Sequence, residues 1–244
     1  MITEICVSAE ELNQTLEYVS LISGAGNNKS KGKEKDAKQL SGVLKITATS
    51  PRKDKKYMLC FECLGLSEQL LYRMEGKSYN SAESAVTQVE CWRLAALAKT
   101  FSGDITLRFE ERCLGVICGT STYKIATISI ELPRLEVPDG KNALTLSVDF
   151  LQSAVKHCSP AVPKDDVREW LKCIQLQLHA DGSAYCYATD THRLARYTAN
   201  NTGSKANVTL MMTPASLQHI IDMCDQNEIT IIPTERYVYA NTPR

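Results

Sequence analysis

The amino-acid sequence predicts an α+β protein built from repeated strand–helix–three-strand units, with the helices on one face of antiparallel sheets. Two observations lead to this prediction. Four amphipathic helical segments recur along the chain, and between them the apolar period changes from about 3.6 residues to about 2. The chain has 244 residues, more than the roughly 100–150 residues of a typical domain. We therefore expect two domains.

The four predicted helices have recognisable start signals and apolar stripes. A capping-box sequence begins at Ser8 and predicts a first helix over about residues 9–20. The second helix is predicted at about residues 90–101, where apolar positions fall on one face. The third is expected to open after Ser147, and the fourth after Thr213, which is followed by proline.

Alternating apolar and polar residues predict short strands after each helix. Residues 104–128 indicate three strands with turns at 111–112 and 119–120. Residues 171–200 repeat this pattern, with one turn at Asp181 and Gly182 and a second within "TDTH". The fourth unit offers only two strands before Arg244, so it is expected to be one strand short.

The segment "ELPRLEVPDGKN", residues 131–142, is the predicted linker between the domains. It contains two prolines and one glycine and has no apolar periodicity. The expected domains are therefore residues 1–135 and 140–244.

Composition and charge are those of an ordinary soluble protein. Lysine and arginine number 28, as do aspartate and glutamate, so net charge identifies no partner. The start of the chain lacks the pattern of a leader peptide, and no apolar run approaches the roughly 18 residues of a membrane span. A cytoplasmic location without a membrane partner is expected. The ten cysteines lack the spacing of a disulfide framework and are expected to be reduced.

Enzyme and metal signatures are few. The chain has no GxSxG, no Gly-rich phosphate loop ending in GK[ST] and no HExxH. Cys60 and Cys63 form one CxxC, but no second ligand pair follows at a spacing suited to zinc. Asp190, His192 and Arg193 are the remaining catalytic candidates, but on a strand His192 and Arg193 point to opposite faces, which favours a turn or a binding surface over catalysis. No catalytic residue, metal or cofactor is expected.

Lysines are concentrated in residues 24–38, "GAGNNKSKGKEKDAK". This segment cannot bury a core and is expected to be a basic loop. It has two interpretations: a solvated loop, or a tether that contacts the phosphates of a polyanion. A second basic cluster, at residues 52–56, is expected in a solvated hairpin turn.

Three stretches carry a resemblance to a known family. "YATDTHRLARY", residues 187–197, resembles the "ATDGHRLA" signature in the middle domain of bacterial sliding clamps, the beta subunit of DNA polymerase III. "PKDDVREWLKCIQLQL", residues 163–178, is similar to the clamp segment before that signature. "LSGVLKI", residues 40–46, resembles the clamp strand after the first helix. The number of repeats also fits the DNA-clamp fold.

The resemblance implies a function without catalysis. Such a protein is a DNA sliding clamp, a processivity factor in DNA replication and strand elongation that encircles duplex DNA and tethers the replicative polymerase. The implied partners are sequence-independent duplex DNA, the DNA polymerase III alpha subunit, the clamp loader and other clamp-binding peptides, together with self-association into a ring.

The resemblance also implies two groups of site residues. The peptide-binding pocket would be lined by residues of the signature turn and one leucine before it: Leu171, Thr189, Thr191, His192, Arg193 and Leu194. The DNA contacts would come from the basic segment and from the stretch preceding the signature: Lys29, Lys31, Lys33, Lys35, Lys38, Arg168 and Trp170.

The sequence departs from the clamp pattern at several points. Clamps usually have glycine where this chain has Thr191, and the first helix carries three acidic residues where clamp helices present basic ones. The resembled clamps have three domains and close as a head-to-tail dimer, whereas a third domain is absent from these 244 residues. We therefore expect an N-terminal piece of a longer clamp, with a two-domain clamp that closes as a trimer as the alternative. The alternatives are an interaction module on a clamp fold, or an enzyme that uses Asp190 and His192.

Overall fold

A computed structural model describes residues 3–23, 42–49, 56–65, 68–78, 84–133 and 137–241. The chain divides into two compact units, residues 1–135 and 136–244. In both units a strand leads into a helix that is followed by antiparallel strands, which confirms the predicted α+β class. Within the described ranges, no helix is long and apolar enough to cross a membrane.

The first unit contains two strand–helix–three-strand repeats on one sheet. Its strand order is β5-β2-β3-β4-β1-β6-β7-β8, with every neighbouring pair antiparallel. The elements are β1 (Thr3–Ser8), α1 (Ala9–Ser23), β2 (Val43–Thr49), β3 (Lys56–Leu64), β4 (Gln69–Ser78), β5 (Ala85–Glu90), α2 (Cys91–Ala98), β6 (Asp104–Phe109), β7 (Cys113–Cys118) and β8 (Ser121–Ala126).

The two helices of the first unit pack on each other and on one face of this sheet. Their apolar stripes, including Leu12, Leu16 and Leu94, are buried. Each such side chain contributes roughly 1.5–3 kcal/mol through burial. The two edges of the sheet meet after β8, where the N–H of Ile128 donates to the carbonyl of Gln88 on β5 at 2.8 Å.

The second unit repeats this arrangement with two sheets, ordered β12-β11-β10-β13 and β15-β14-β9. Short 3-10 turns at Ser159–Ala161 and Glu169–Lys172 follow its first helix. The elements are β9 (Leu144–Ser147), α3 (Val148–Cys158), β10 (Ile174–Leu178), β11 (Ala184–Thr189), β12 (Leu194–Ala199), β13 (Val208–Met212), α4 (Pro214–Asp222), β14 (Glu228–Pro233) and β15 (Val238–Asn241).

The two sheets of the second unit meet where the chain leaves β12. The N–H of Ser147, the last residue of β9, donates to the carbonyl of Thr202 at 3.0 Å. Gly203 follows with φ +87°, and a Cβ there would lie 2.6 Å from the carbonyl oxygen of Thr145. This contact corresponds to the pairing of β1 with β4 in the first unit. No counterpart of β8 occurs among the described residues of the second unit.

The observed helix boundaries agree with the sequence prediction at some ends and differ from it at others. The hydroxyl of Thr213 accepts the N–H of Ser216 at 3.0 Å, which confirms the predicted N-cap of α4. Ser147 makes no side-chain cap to α3. The second helix ends at Ala98, earlier than predicted, because residues 99–100 form a turn. The first helix instead continues to Ser23, beyond its predicted end.

Candidate functional site

The segment that contains Asp190, His192 and Arg193 is a closed turn between β11 and β12. Thr189 and Leu194 form the last residue pair of the two strands. The hydroxyl of Thr189 donates to the carbonyl of Arg193 at 2.7 Å and accepts the N–H of Thr191 at 3.1 Å. One side chain therefore bridges both ends of the turn, as the sequence predicts for "TDTH".

Asp190 holds the interior of the same turn. Its Oδ1 accepts the N–H of His192 at 3.1 Å and that of Arg193 at 3.0 Å, and its Oδ2 accepts Nε of Arg193 at 2.9 Å. The N–H of Arg193, with these other donors, holds the pKa of the Asp190 carboxyl below its usual range. His192 contributes its main chain to this network. Asp190 therefore builds the turn, which is not the geometry of an Asp190–His192 catalytic pair.

Thr191 has φ +75°, in the left-handed region that favours glycine. A β-branched residue is unfavourable there because its Cβ crowds the backbone. Glycine, which the resembled signature carries at this position, would adopt this conformation without that crowding. The chain retains the turn despite the strain, because Thr189 and Asp190 fix both of its ends.

Thr191→Gly is expected to stabilise the second unit by about 0.5–1 kcal/mol, since relief of left-handed strain exceeds the added entropy of the unfolded chain. Urea unfolding followed by Trp170 fluorescence in a Trp92→Phe background measures this change. Thr198→Gly, on an exposed strand position of β12, is the matched control and is expected to destabilise. A loss of stability in Thr191→Gly contradicts the strain argument.

A small apolar cleft lies beside the turn. Its volume is about 150 Å³, and we call it the Leu194 cleft; it is lined by Pro160, Ala161, Arg193, Leu194 and Ala195. Leu194 is 66% exposed, although it is paired with Thr189 of β11. The cleft exists because the 3-10 turn after α3 packs against β11 and β12. It presents apolar surface next to the Arg193 guanidinium.

The segment before β10 is held by a bidentate ion pair. Asp166 accepts the N–H of Arg168 at 2.8 Å, and its carboxylate oxygens accept Nε and Nη2 of Arg168 at 2.9 Å each. These bonds lower the pKa of Asp166 to about 2. The 3-10 turn that follows leaves Trp170 61% exposed and Leu171 half-buried. Arg168 is therefore already paired with a carboxylate.

Acid titration is expected to weaken this segment. The folded-state pKa of Asp166 lies below the ordinary value of 3.8, so its stabilising effect is complete above that value and is lost as pH falls toward about 2. Over this window Asp166→Asn should lose less stability than the wild type, measured by urea unfolding at each pH. Asp165→Asn is the control, because Asp165 accepts none of the three Arg168 bonds. Equal acid sensitivity in wild type and Asp166→Asn contradicts the expectation.

The structure brings only some of the expected site residues together. Arg193 and Leu194 line the Leu194 cleft, and Thr189, Thr191 and His192 form the adjoining turn. Leu171 lies in the separate 3-10 turn and is not among the residues that line the cleft. The five lysines between residues 29 and 38 lie outside the described residues, as do Arg52, Lys53 and Lys55 of the second basic cluster.

Three residues of the Leu194 cleft were not predicted from the sequence: Pro160, Ala161 and Ala195. The proline directly after the third helix was a usable signal, because it marks where the chain turns away from the helix. Ala195 is paired with Ala188 on the core side of the sheet. Its small side chain carries no signal of its own.

The cysteines and acidic residues form no metal site within the described part of the chain. All ten cysteines are free. Cys60 and Cys63 lie three residues apart on β3, so their side chains point to opposite faces and cannot share one metal ion. Burial raises the pKa of the Cys63 thiol far above its usual range, which disfavours the thiolate form.

Solved structures of bacterial clamps share this architecture. A Bacillus subtilis DNA polymerase sliding clamp superimposes with a TM-score of 0.79 at 15% identity, covering 99% of this chain and 62% of that one. The chain has the sliding-clamp fold. A Pseudomonas aeruginosa sliding clamp (DNA polymerase III subunit beta) bound to griselimycin gives a TM-score of 0.76 at 20% identity, over 98% of this chain and 62% of that one.

A third clamp structure, from Helicobacter pylori, is bound to a DNA ligase peptide. It gives a TM-score of 0.76 at 15% identity and covers 98% of this chain and 63% of its own. No protein-family model and no curated protein matches the sequence. This chain with the clamp fold thus spans less than two thirds of the length of these clamps, and its sequence has diverged far from theirs.

Proposed function

We propose that this chain acts as a DNA sliding clamp, a processivity factor that encircles duplex DNA and tethers the replicative polymerase and other factors. The observation that carries the proposal is the clamp fold over 98–99% of the chain, together with the signature turn at residues 189–194. Residues 1–135 would form the first clamp domain and residues 140–244 the middle domain. The proposed function is topological and requires no catalytic residue.

The proposed peptide site is the Leu194 cleft with the adjoining turn. A cleft of about 150 Å³ has room for one apolar side chain of a short linear motif. Leu194 supplies exposed apolar area, and the Arg193 guanidinium, 66% exposed, can orient the peptide backbone. Thr189, Thr191 and His192 would border the motif, and Leu171 would take part where the motif extends to the 3-10 turn at Glu169–Lys172. The partners we propose are peptides of the DNA polymerase III alpha subunit, the clamp loader and other replication factors.

The proposed DNA contacts are independent of base sequence. Trp170 is exposed and available to duplex DNA, whereas Arg168 would have to exchange its Asp166 partner for a phosphate. The five lysines of residues 29–38 are the stronger candidates on charge, because lysines neutralise phosphates without recognising bases. Sliding requires contacts of this weak and interchangeable kind.

Salt titration tests the DNA proposal. Serine replacement of the lysines should lower the slope of log affinity against log salt, by up to about 0.9 for each phosphate that is no longer neutralised. Affinity for duplex DNA is measured by fluorescence anisotropy over a range of salt concentrations. Peptide affinity serves as the control and should not change. An unaltered slope shows that the lysines do not contact DNA. The replaced residues are Lys29, Lys31, Lys33, Lys35 and Lys38.

Retention on circular DNA tests whether the chain assembles into a closed ring around the duplex. A clamp assembled from this chain should remain on closed circular DNA during gel filtration and slide off after the circle is linearised. Sedimentation of the same sample gives the number of chains in the assembly. If the chain binds a clamp-binding peptide but does not remain on circular DNA, these residues do not close a ring by themselves, and the result supports a piece of a longer clamp or an interaction module on the clamp fold.

A further inference from the structure

The outward face of the sheet β12-β11-β10-β13 has an uncommon composition. Burial alternates along its strands, so that one face packs on the core and the other is exposed or half-buried. The strands contain no aspartate or glutamate, and Arg196 is their single charged residue. The outward residues are Gln175, Gln177, Tyr185, Tyr187, Thr189, Leu194, Arg196, Thr198, Thr209 and Met211.

The first unit provides an internal comparison, because β4-β3-β2-β5 occupies the same place in the repeat. These strands contain seven charged residues of both signs, including the ion pair of Lys45 with Glu62 at 2.7 Å. That composition is typical of a solvated sheet face. Both sheets occupy the same place in the repeat. The fold therefore does not by itself require the nearly uncharged composition of the sheet β12-β11-β10-β13.

The aromatic residues of this face are arranged in register. Tyr185 and Tyr187 lie two positions apart on β11, a central strand, and therefore about 6.6 Å apart along it. Gln177 lies opposite Tyr185, and Gln175 opposite Tyr187. On the other side Arg196 is paired with Tyr187, and its guanidinium lies 5.0 Å from the centre of the Tyr185 ring. Aromatic rings, amide groups and a cation thus share one row of the sheet.

We propose that this sheet face binds single-stranded nucleic acid. The Tyr187 ring can stack one base, the Arg196 guanidinium that lies over the Tyr185 ring offers a second stacking plane, and the glutamine amides can hydrogen-bond to base edges. Arg196 supplies a positive charge, and the absence of carboxylates from the strands removes the repulsion that a phosphate chain meets on an ordinary protein face. Paired bases in a duplex cannot stack on the rings. The ligand therefore differs from the duplex of the proposed clamp function, and the two proposals can fail separately.

Fluorescence anisotropy of labelled oligothymidine and oligouridine, about 12 nucleotides long, tests the proposal on the whole chain. The salt concentration is set so that a duplex of the same length does not bind, and the two oligomers distinguish DNA from RNA. Tyr187→Ala is expected to weaken binding by about tenfold or more, because one base loses its stacking partner. Tyr187→Phe keeps the ring and should bind as the wild type does.

Two arginine variants test whether the positive charge must lie on this sheet face. Arg196→Ala should weaken binding, while Arg73→Ala, on the equivalent sheet of the first unit, removes the same charge and should leave binding unchanged. Circular dichroism confirms that each variant is folded. The proposal is overturned if neither oligomer binds, or if Tyr187→Ala and Arg196→Ala both bind like the wild type. The proposal is also overturned if the protein binds neither oligonucleotide but self-associates, and Tyr187→Ala abolishes the self-association. The face would then be a protein interface.

Discussion

Leu194→Asp is expected to weaken the binding of a clamp-binding peptide by about 10- to 100-fold. The wild-type side chain is 66% exposed and lines the Leu194 cleft, so a docked apolar residue would bury it. An aspartate would place a charge against that apolar residue and would have to lose its hydration on binding. Titration of a fluorescent DNA ligase or polymerase peptide into wild type and variant gives the ratio of dissociation constants.

Leu21→Asp is the matched control for this substitution. Leu21 is 48% exposed on α1 of the first unit, so the same chemical change is made on another exposed leucine. Leu21→Asp should bind peptide as the wild type does. If Leu194→Asp also binds like the wild type, the Leu194 cleft is not the peptide site.

Gly203→Ala is expected to destabilise the second unit by about 3–4 kcal/mol. Two costs combine at this position. The backbone has φ +87°, and the new methyl group would lie 2.6 Å from the carbonyl oxygen of Thr145, a backbone atom of β9 that cannot move aside. The two sheets meet at this point, so the strain would separate β9 from the end of β12. Urea unfolding followed by Trp170 fluorescence in the Trp92→Phe background measures the loss.

Gly140→Ala separates the two costs. Gly140 has φ +76°, but a Cβ there meets no atom within 4 Å. This control should therefore cost only the left-handed backbone strain, about 1 kcal/mol. Equal losses in Gly203→Ala and Gly140→Ala would show that β9 yields to the methyl group and that the sheet junction is soft.

The repeat and the turns could be predicted from sequence because their causes are local. Thr213 followed by proline starts α4 through contacts within one helical turn, and "TDTH" forms a turn because Thr189 and Asp190 bond to residues at most four positions away. The strands could be predicted from the alternation of apolar and polar residues, which is also a property of neighbouring positions. These features require no knowledge of distant partners.

The Leu194 cleft could not be predicted in the same way. Pro160 and Ala161 lie more than thirty residues before Leu194 and reach it only because the chain after α3 packs on β12. The ion pair of Arg168 could not be predicted either. In the sequence its guanidinium suggests a phosphate contact, whereas in the fold its Nε and Nη2 donate to the carboxylate of Asp166, two residues earlier. Charge and spacing alone did not reveal that competition.

The hydrogen bonds of Thr189 and Asp190 close within their own turn, which bears on how a partner would associate. Since these bonds join atoms of the turn to one another, the conformation of the turn does not depend on contacts from outside it. A docking motif would lose its own conformational entropy but would impose little ordering cost on the protein. Association rates of different motifs should then be similar, and their differences in affinity should arise from residence time. One rigid surface could in this way exchange a succession of partners.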